Sequence, residues 1–186
     1  MKVEFEVQTK PEGNVIERKG NSSDAIFNLE EVQAIKNAIQ EHFLFIGMDM
    51  NNNVRNIHLL GIGNCNQINI DSKEIIRTAL LTASEKVVLV HNHPSNNLKP
   101  SQADIYLTNY TNKILEIFNI NMVDHIIVTE KGYHSMGKYN EIDINFIDKK
   151  INFIESTFLK EENEKLKEDM KKLTKKIQKN KYNNER

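Results

Sequence analysis

Apolar residues recur along the chain with two periodicities, one typical of strands and one typical of helices. Residues 2–9 alternate apolar and polar positions, which predicts a half-buried edge strand. Short apolar runs predict five further strands, and turn-forming residues at 49–53 and 130–132 join four of them into hairpins. These five strands are expected over residues 43–48, 54–60, 86–90, 123–129 and 133–136.

Three helices are predicted between the strands. The first begins at Ser22 or Ser23, either of which can cap it, and runs to about Gln40. The other two are expected over residues 71–83 and 101–118. The apolar stripe of the first helix consists of Ile26, Leu29, Val32, Ile35 and Ile39.

Hairpins mixed with helices predict an α+β fold, a mixed β-sheet flanked by helices. The chain divides into three predicted segments. Residues 1–22 form an N-terminal strand and loop, residues 23–140 form the main domain, and residues 141–186 form a helical extension.

The extension has its own pattern, a seven-residue repeat that predicts a long amphipathic helix over residues 150–180. The apolar stripe formed by the repeating positions is narrow, which suits pairing with a partner helix or with a second copy of the chain. Asn163 would then fix the register of the two helices. The alternative is a helix docked on the main domain. The repeating positions are Leu159, Leu166 and Leu173, and Asn163, Met170 and Ile177.

Composition and charge narrow the class of protein. The chain has 186 residues and a net charge of −1. Residues 160–186 hold ten Lys or Arg against six Asp or Glu, so the main domain is mildly acidic, which argues against a large nucleic-acid footprint there. No apolar run is long enough for a membrane span, and the N-terminus does not resemble a signal peptide. The single cysteine, Cys65, is expected to be a buried or half-buried inert thiol in a cytoplasmic protein.

The candidate chemistry lies directly after the apolar run of residues 86–90. His91 and His93 are two positions apart, so on a strand they point to the same side. Ser101 is a predicted helix N-cap with Asp104 at the third helical position, which can bring a carboxylate towards the two imidazoles.

Two imidazoles and a carboxylate, with a fourth position left open, form the ligand set of a catalytic zinc ion. Each part alone has a plainer interpretation, since an isolated histidine is usually a surface or core residue and Ser-x-x-Asp is usually only a capping box. The complete string His91-x-His93-x7-Ser101-x-x-Asp104, between a buried strand and a helix, favours the metal site, with one Zn²⁺ per chain.

This string resembles the signature of the JAMM (MPN+/JAB) metalloproteases. The sequence His-Asn-His-Pro-Ser at residues 91–95 resembles the RadC-like branch more closely, and so do residues 73–80 and 123–128, within a resemblance that covers residues 24–140. Asn96 departs from that branch, which usually has glycine there. Asparagine tolerates positive φ better than most residues, so we expect a changed loop with the chemistry retained.

The resemblance implies the JAMM/MPN fold and further site residues. A glutamate between the first helix and the following strand is the general base in JAMM enzymes, and Glu41 holds that position. Glu74 is its rival, but it has a predicted capping role with Asp71. Ser101 is expected to donate a hydrogen bond to the oxyanion of the reaction. His125 is expected to make a structural hydrogen bond only.

The sequence thus supports a zinc-dependent hydrolase that cleaves a peptide or isopeptide bond in a protein or peptide substrate. Two alternatives remain. One is an accessory protein of DNA repair or of mobile elements, an association of the RadC name, in which nucleic acid is a partner. The other is a non-catalytic MPN scaffold, although such scaffolds usually lack one or more ligands.

Overall fold

The structure, a computed structural model, describes residues 18–65, 67–143, 145, 164–165 and 168. The chain forms two compact units, residues 1–142 and residues 143–186. The predicted strand at residues 2–9 lies outside the described residues. So does most of the predicted C-terminal helix, of which residues 164, 165 and 168 are described and helical.

The first unit is built on a mixed sheet, as the sequence predicted, with five strands among the described residues. The strands are β1 (His42–Met48), β2 (Val54–Ile62), β3 (Lys86–Asn92), β4 (Asn121–Thr129) and β5 (Gly132–Ser135). Their order across the sheet is β2-β1-β3-β4-β5. Strands β3 and β4 are parallel, and the other three pairs are antiparallel. The metal-site strand β3 is therefore the central strand.

Four helices cover the two faces of this sheet. They are α1 (Ser23–Phe27), α2 (Glu30–Ile35), α3 (Ser72–Leu81) and α4 (Gln102–Ile117). Helices α1 and α2 pack on one face, where Val88 and Val90 are buried. Helices α3 and α4 pack on the other, where Val87 and Leu89 are buried. Alternation along β3 therefore directs His91 towards α4 and Asn92 towards α1 and α2.

The prediction of one helix from residue 22 to about residue 40 is wrong. Ser22 does cap α1, since its hydroxyl accepts a hydrogen bond from the Ala25 N–H. The backbone then leaves the helix, because Leu29 is extended (φ −63°, ψ 140°). Ile26, Leu29, Val32 and Ile35 are buried as predicted, but Ile39 is 83% exposed. A second helix, α2, follows the break and ends at Ile35, so residues 36–41 form a connection that leads to β1.

The other helix starts agree with the sequence in part. Asp71 caps α3 by accepting from the Lys73 N–H. Glu74, however, pairs with Arg77 and does not complete a capping box. No helix among the described residues has the length and apolar character needed to cross a membrane.

Candidate metal centre

The end of β3 delivers the two histidines. His91 is the penultimate residue of the strand and is fully buried, and His93 follows directly after it. The two Nε2 atoms lie 2.9 Å apart. Phe43 on the neighbouring strand β1 stacks on the His91 ring with centroids 5.6 Å apart, which fixes the ring plane.

The start of α4 delivers the carboxylate. Ser101 and Asp104 form a full capping box, in which each side chain accepts a hydrogen bond from the other residue's backbone N–H, at 2.7 and 3.1 Å. This cap holds Asp104 over the end of β3. Its carboxylate oxygens lie 3.4 Å from the His91 Nε2 and 3.6 Å from the His93 Nε2.

These three side chains fit a metal ion. Two atoms bound at about 2.0–2.2 Å to one tetrahedral zinc ion lie roughly 3.3–3.6 Å apart. Each Asp104 oxygen lies at this spacing from one histidine, Oδ1 from His91 and Oδ2 from His93, and the 2.9 Å between the two Nε2 atoms is slightly shorter. His91, His93 and Asp104 each offer one ligand atom within 4.8 Å of the others.

The remaining ring nitrogens are engaged elsewhere, which leaves both Nε2 atoms to face the site. The Nδ1 atom of His93 lies 2.7 Å from the Asn97 carbonyl oxygen, so it carries a proton and donates it. The Nδ1 atom of His91 lies 2.8 Å from the Nε2 of the buried His125. Metal-ligating histidines commonly bind through one nitrogen while the other is held in this way.

The electrostatics favour the ionised Asp104 and the neutral His91 that a metal requires, whereas they favour the protonated form of His93. Burial raises the pKa of Asp104, but hydrogen bonds and charge from His93, His91 and Ser101 outweigh it and hold that pKa well below its usual range. Burial and the neighbouring His125 hold the pKa of His91 well below its usual range. Burial also lowers the pKa of His93, but its hydrogen bonds to Asp104 and Asn97 outweigh burial, so the pKa of His93 is raised. Binding a cation at this site would displace that proton.

Glu41 lies beside the three ligands. It directly precedes β1 and is buried, at 8% exposed, and its backbone pairs with Gly63 and Asn64 as an extension of the β1–β2 ladder. Burial raises the pKa of Glu41, an effect that His93 partly offsets and Asp104 reinforces. A carboxylate in such surroundings is a stronger base than one in water.

Asn92 holds the segment that carries Glu41. The buried amide accepts a hydrogen bond from the His42 N–H at 2.7 Å and donates to the carbonyl oxygens of Ala38 and Gln40, at 3.2 and 3.0 Å. Asn92 therefore has a structural role on the face of the strand opposite to His91. The Asn92 side chain is thus hydrogen-bonded to the backbone on both sides of Glu41.

A cavity of about 230 Å³ opens at the ligands. Glu41, His93, Ser101 and Asp104 all line it, and Lys99 lies at the same cavity. A second cavity of about 420 Å³ adjoins the first and shares Ile68, Ala103 and Asp104 with it. The second is mainly apolar and aromatic, with a wall formed by Phe43, Ile68, Ile70, Tyr106, Leu107 and Tyr110.

Several further residues can now be placed. Asn96 adopts φ +57°, a positive φ of the kind that asparagine tolerates better than most residues. Its side chain also accepts a hydrogen bond from the Glu130 N–H. Glu74 lies on α3 paired with Arg77 and does not line the metal cavity. Cys65 is exposed, so the expectation of a buried or half-buried thiol is wrong.

The sequence indicated the ligands and a structural hydrogen bond of His125, but it did not indicate the partners of His125. The contact between His91 and His125 and the contact between His125 and Thr108 depend on how β3, β4 and α4 pack. The signals in the sequence were the place of His125 beside the apolar run of residues 126–128 and the resemblance of residues 123–128 to the RadC-like branch.

Comparison with known proteins agrees with this geometry. Residues 21–142 match the RadC-like JAB domain family. A UPF0758 protein of Pseudoalteromonas translucida (strain TAC 125) is 33% identical over 108 residues, 58% of this chain and 48% of that protein. A UPF0758 protein of Lactococcus lactis subsp. lactis (strain IL1403) is 39% identical over 101 residues, 54% of this chain and 45% of that protein.

The matched part is thus about half the length of these curated relatives. The family match, in contrast, covers well over half of this chain and includes Glu41, both histidines, Ser101 and Asp104. On this evidence, the chain belongs to the RadC-like JAB domain family.

Proposed function

We propose that this protein is a zinc-dependent hydrolase that cleaves a peptide or isopeptide bond. The observation that carries the proposal is the convergence of three ligand atoms, from His91, His93 and Asp104, beside a cavity that Glu41 and Ser101 also line. When bound there, zinc supplies a Lewis acid and lowers the pKa of a water in its open position towards about 7.

Glu41 is the proposed general base. It accepts a proton from the attacking water and passes it to the amine that leaves, so the carbonyl carbon gains the oxygen as its bond to nitrogen breaks. Its raised pKa suits this exchange, because a general base works best when its pKa approaches the working pH. Asn92 keeps Glu41 in place through the connection on either side of it.

Ser101 is the proposed oxyanion donor. Its hydroxyl accepts a hydrogen bond from the Asp104 N–H, and a hydroxyl that accepts one bond retains a proton to donate. The capping box fixes the position of this hydroxyl before substrate arrives. Removing a preorganised donor of this kind typically lowers the rate by about 10²–10³.

The neighbouring cavity suggests the kind of substrate. Its wall is mainly apolar, and the stacked rings of Tyr106 and Tyr110, 5.8 Å apart, form part of it. Among the residues that the structure describes, no lysine or arginine lines this cavity, whereas Asp71 and Asp104 do. We infer that a substrate places a large apolar side chain here, next to the bond that is cleaved, and that an acidic side chain is disfavoured.

Glu41→Gln tests the reaction directly. The zinc-loaded protein would be incubated with peptide and isopeptide libraries, and products would be identified by mass spectrometry. Wild type is expected to cleave a subset of these substrates, whereas Glu41→Gln is expected to retain zinc and lose cleavage, since an amide cannot accept the proton.

Glu74→Gln is the matched control, because Glu74 is a glutamate outside the metal cavity and should be dispensable for cleavage. Activity of Glu41→Gln within a few-fold of wild type would remove Glu41 from the proposed role. A zinc-loaded wild type that cleaves no amide in either library would contradict the hydrolase, and a non-catalytic scaffold would then be the better account.

A further inference from the structure

We propose that His125 and Thr108 are positioning residues that fix the tautomer of His91. Through two hydrogen bonds they hold the proton of that imidazole on Nδ1, which leaves the Nε2 lone pair facing the metal site. The inference rests on the metal site of the proposed function but is independent of whether the protein hydrolyses anything.

Three short contacts link the metal site to the interior of the sheet. The Nδ1 of His91 lies 2.8 Å from the Nε2 of His125. The Nδ1 of His125 lies 2.6 Å from the Thr108 hydroxyl oxygen. That hydroxyl in turn lies 2.6 Å from the backbone carbonyl oxygen of Asp104. All of these distances are within hydrogen-bonding range.

The protons in this series can run in only one direction. A carbonyl oxygen only accepts, so Thr108 must donate its single proton to Asp104. Thr108 must then accept from the Nδ1–H of His125, whose Nε2 is left as an acceptor. His91 therefore donates from Nδ1, and its Nε2 carries the lone pair.

The opposite direction is unfavourable. If Thr108 donated to His125, its oxygen would face the Asp104 carbonyl oxygen at 2.6 Å with no proton between them. The other acceptor near this hydroxyl, the Met136 sulfur, is 3.7 Å away and weak. The direction that leaves Nε2 of His91 unprotonated is thus the one that satisfies every short contact.

Burial makes the arrangement rigid. His91, Thr108 and His125 have no measurable exposure. Phe43 packs against both rings, stacked on His91 and edge-on to His125 with centroids 5.4 Å apart.

The fold explains why these residues meet. Asp104 and Thr108 are four positions apart, so they lie on one face of α4, one turn from each other. His91 and His125 lie on the parallel neighbours β3 and β4, where His125 pairs with Leu89. The turn of α4 that faces His91 carries Asp104, and the next turn, deeper in the core, carries Thr108.

Thr108→Val tests the inference, because valine has nearly the shape of threonine but no hydroxyl. Without that acceptor, His125 can carry its proton on Nε2 and donate to His91, which would then be protonated on its own Nε2. Nitrogen-15 NMR of zinc-free protein distinguishes the two His91 tautomers. Zinc affinity is measured separately by competition with a chelator.

Wild type and Thr108→Ser are expected to show His91 protonated on Nδ1. Thr108→Val is expected to show His91 protonated partly or wholly on Nε2, with zinc affinity lowered about 10–100-fold, the usual effect of losing such support. Thr111→Val is the matched control: Thr111 is an equally buried threonine of α4 whose hydroxyl has no hydrogen-bond partner within the described structure, and its loss should change neither readout.

His125→Gln provides a second arm, since a glutamine amide oxygen can accept from the His91 Nδ1–H and should preserve its tautomer. Zinc-free wild type with His91 protonated on Nε2 would overturn the inference, even if Thr108→Val failed to fold. Thr108→Val with an unchanged tautomer and unchanged zinc affinity would also overturn it. Failure to hydrolyse amides would instead count against the proposed function alone.

Discussion

At the scale of residues, the three consecutive residues 91–93 at the end of β3 have different roles in the site. His91 and His93 turn towards α4 and meet Asp104, while Asn92 between them turns to the opposite face and fastens the connection that carries Glu41. The ligands and the proposed base are therefore tied to each other through the backbone of β3. A shift of this strand end would move both together.

Asn92→Ala tests that coupling. The change leaves the His42 N–H and the two carbonyl oxygens of residues 38 and 40 without their partner, so unfolding free energy should fall by about 1–3 kcal/mol or more. We expect zinc binding to persist and any cleavage activity to fall strongly, since the ligands are retained while Glu41 is loosened. Denaturant unfolding and zinc titration are the two measurements.

If Asn92→Ala lowers zinc affinity as much as it lowers activity, Asn92 contributes to the metal site itself. One with unchanged stability and activity would show that the connection to Glu41 is held by other contacts.

The metal ligands could be predicted from the sequence because their relative positions are set by residues close to them in the chain. The two-residue period of a strand aligns His91 with His93, and the capping box positions Asp104, so neither step needs knowledge of the wider fold. The pairing of His91 with His125 spans 34 positions and depends on the register of two parallel strands, which no local pattern specifies. The contact between Thr108 and His125 could not be predicted for the same reason.

At the scale of elements, α4 serves two surfaces at once. Its inner face carries Asp104 and Thr108, which contact the histidines, and its outer edge carries Tyr106 and Tyr110, which line the apolar cavity. The helix predicted over residues 22–40 agrees with the structure only in part. Its apolar stripe correctly indicated the buried residues, but Leu29 adopts an extended conformation, a tertiary detail that the spacing alone could not reveal.

Substrate preference should follow the outer edge of α4. For a substrate with leucine or phenylalanine beside the cleaved bond, Tyr106→Ala and Tyr110→Ala are each expected to lower kcat/KM by about tenfold, in line with the roughly 1.5–3 kcal/mol of burying a large apolar side chain. The same variants should hardly affect a matched substrate with alanine at that position. Steady-state kinetics on the two substrates gives the comparison.

Ile117→Ala is the control for this effect, because Ile117 is an exposed apolar residue at the far end of α4 and does not line the cavity. Equal losses on the leucine and alanine substrates would show that the tyrosines do not select the side chain.

At the scale of the whole molecule, the metal site and the heptad pattern belong to different units. The site lies wholly within residues 1–142, and the repeat lies in residues 143–186. The ligands, Glu41 and their supporting residues are all contributed by the first unit. The extension is thus expected to govern association and not metal binding.

Deleting residues 155–186 tests this separation. The shortened protein should stay folded and bind zinc as wild type does. We propose that the heptad positions pair two helices, so light scattering should change from the mass of a dimer to that of a monomer. A full-length protein that is already monomeric at tens of micromolar would exclude homodimerisation there and favour a docked helix or a different partner.

The central claim is that His91, His93 and Asp104 bind one metal ion, and zinc stoichiometry tests it most directly. Elemental analysis of protein dialysed against zinc and then against buffer should give one zinc per chain for wild type. The His91→Ala/His93→Ala double variant, with its fold verified by circular dichroism, should give close to none. Equal zinc in the folded double variant and in wild type, or no zinc in wild type, would contradict the account.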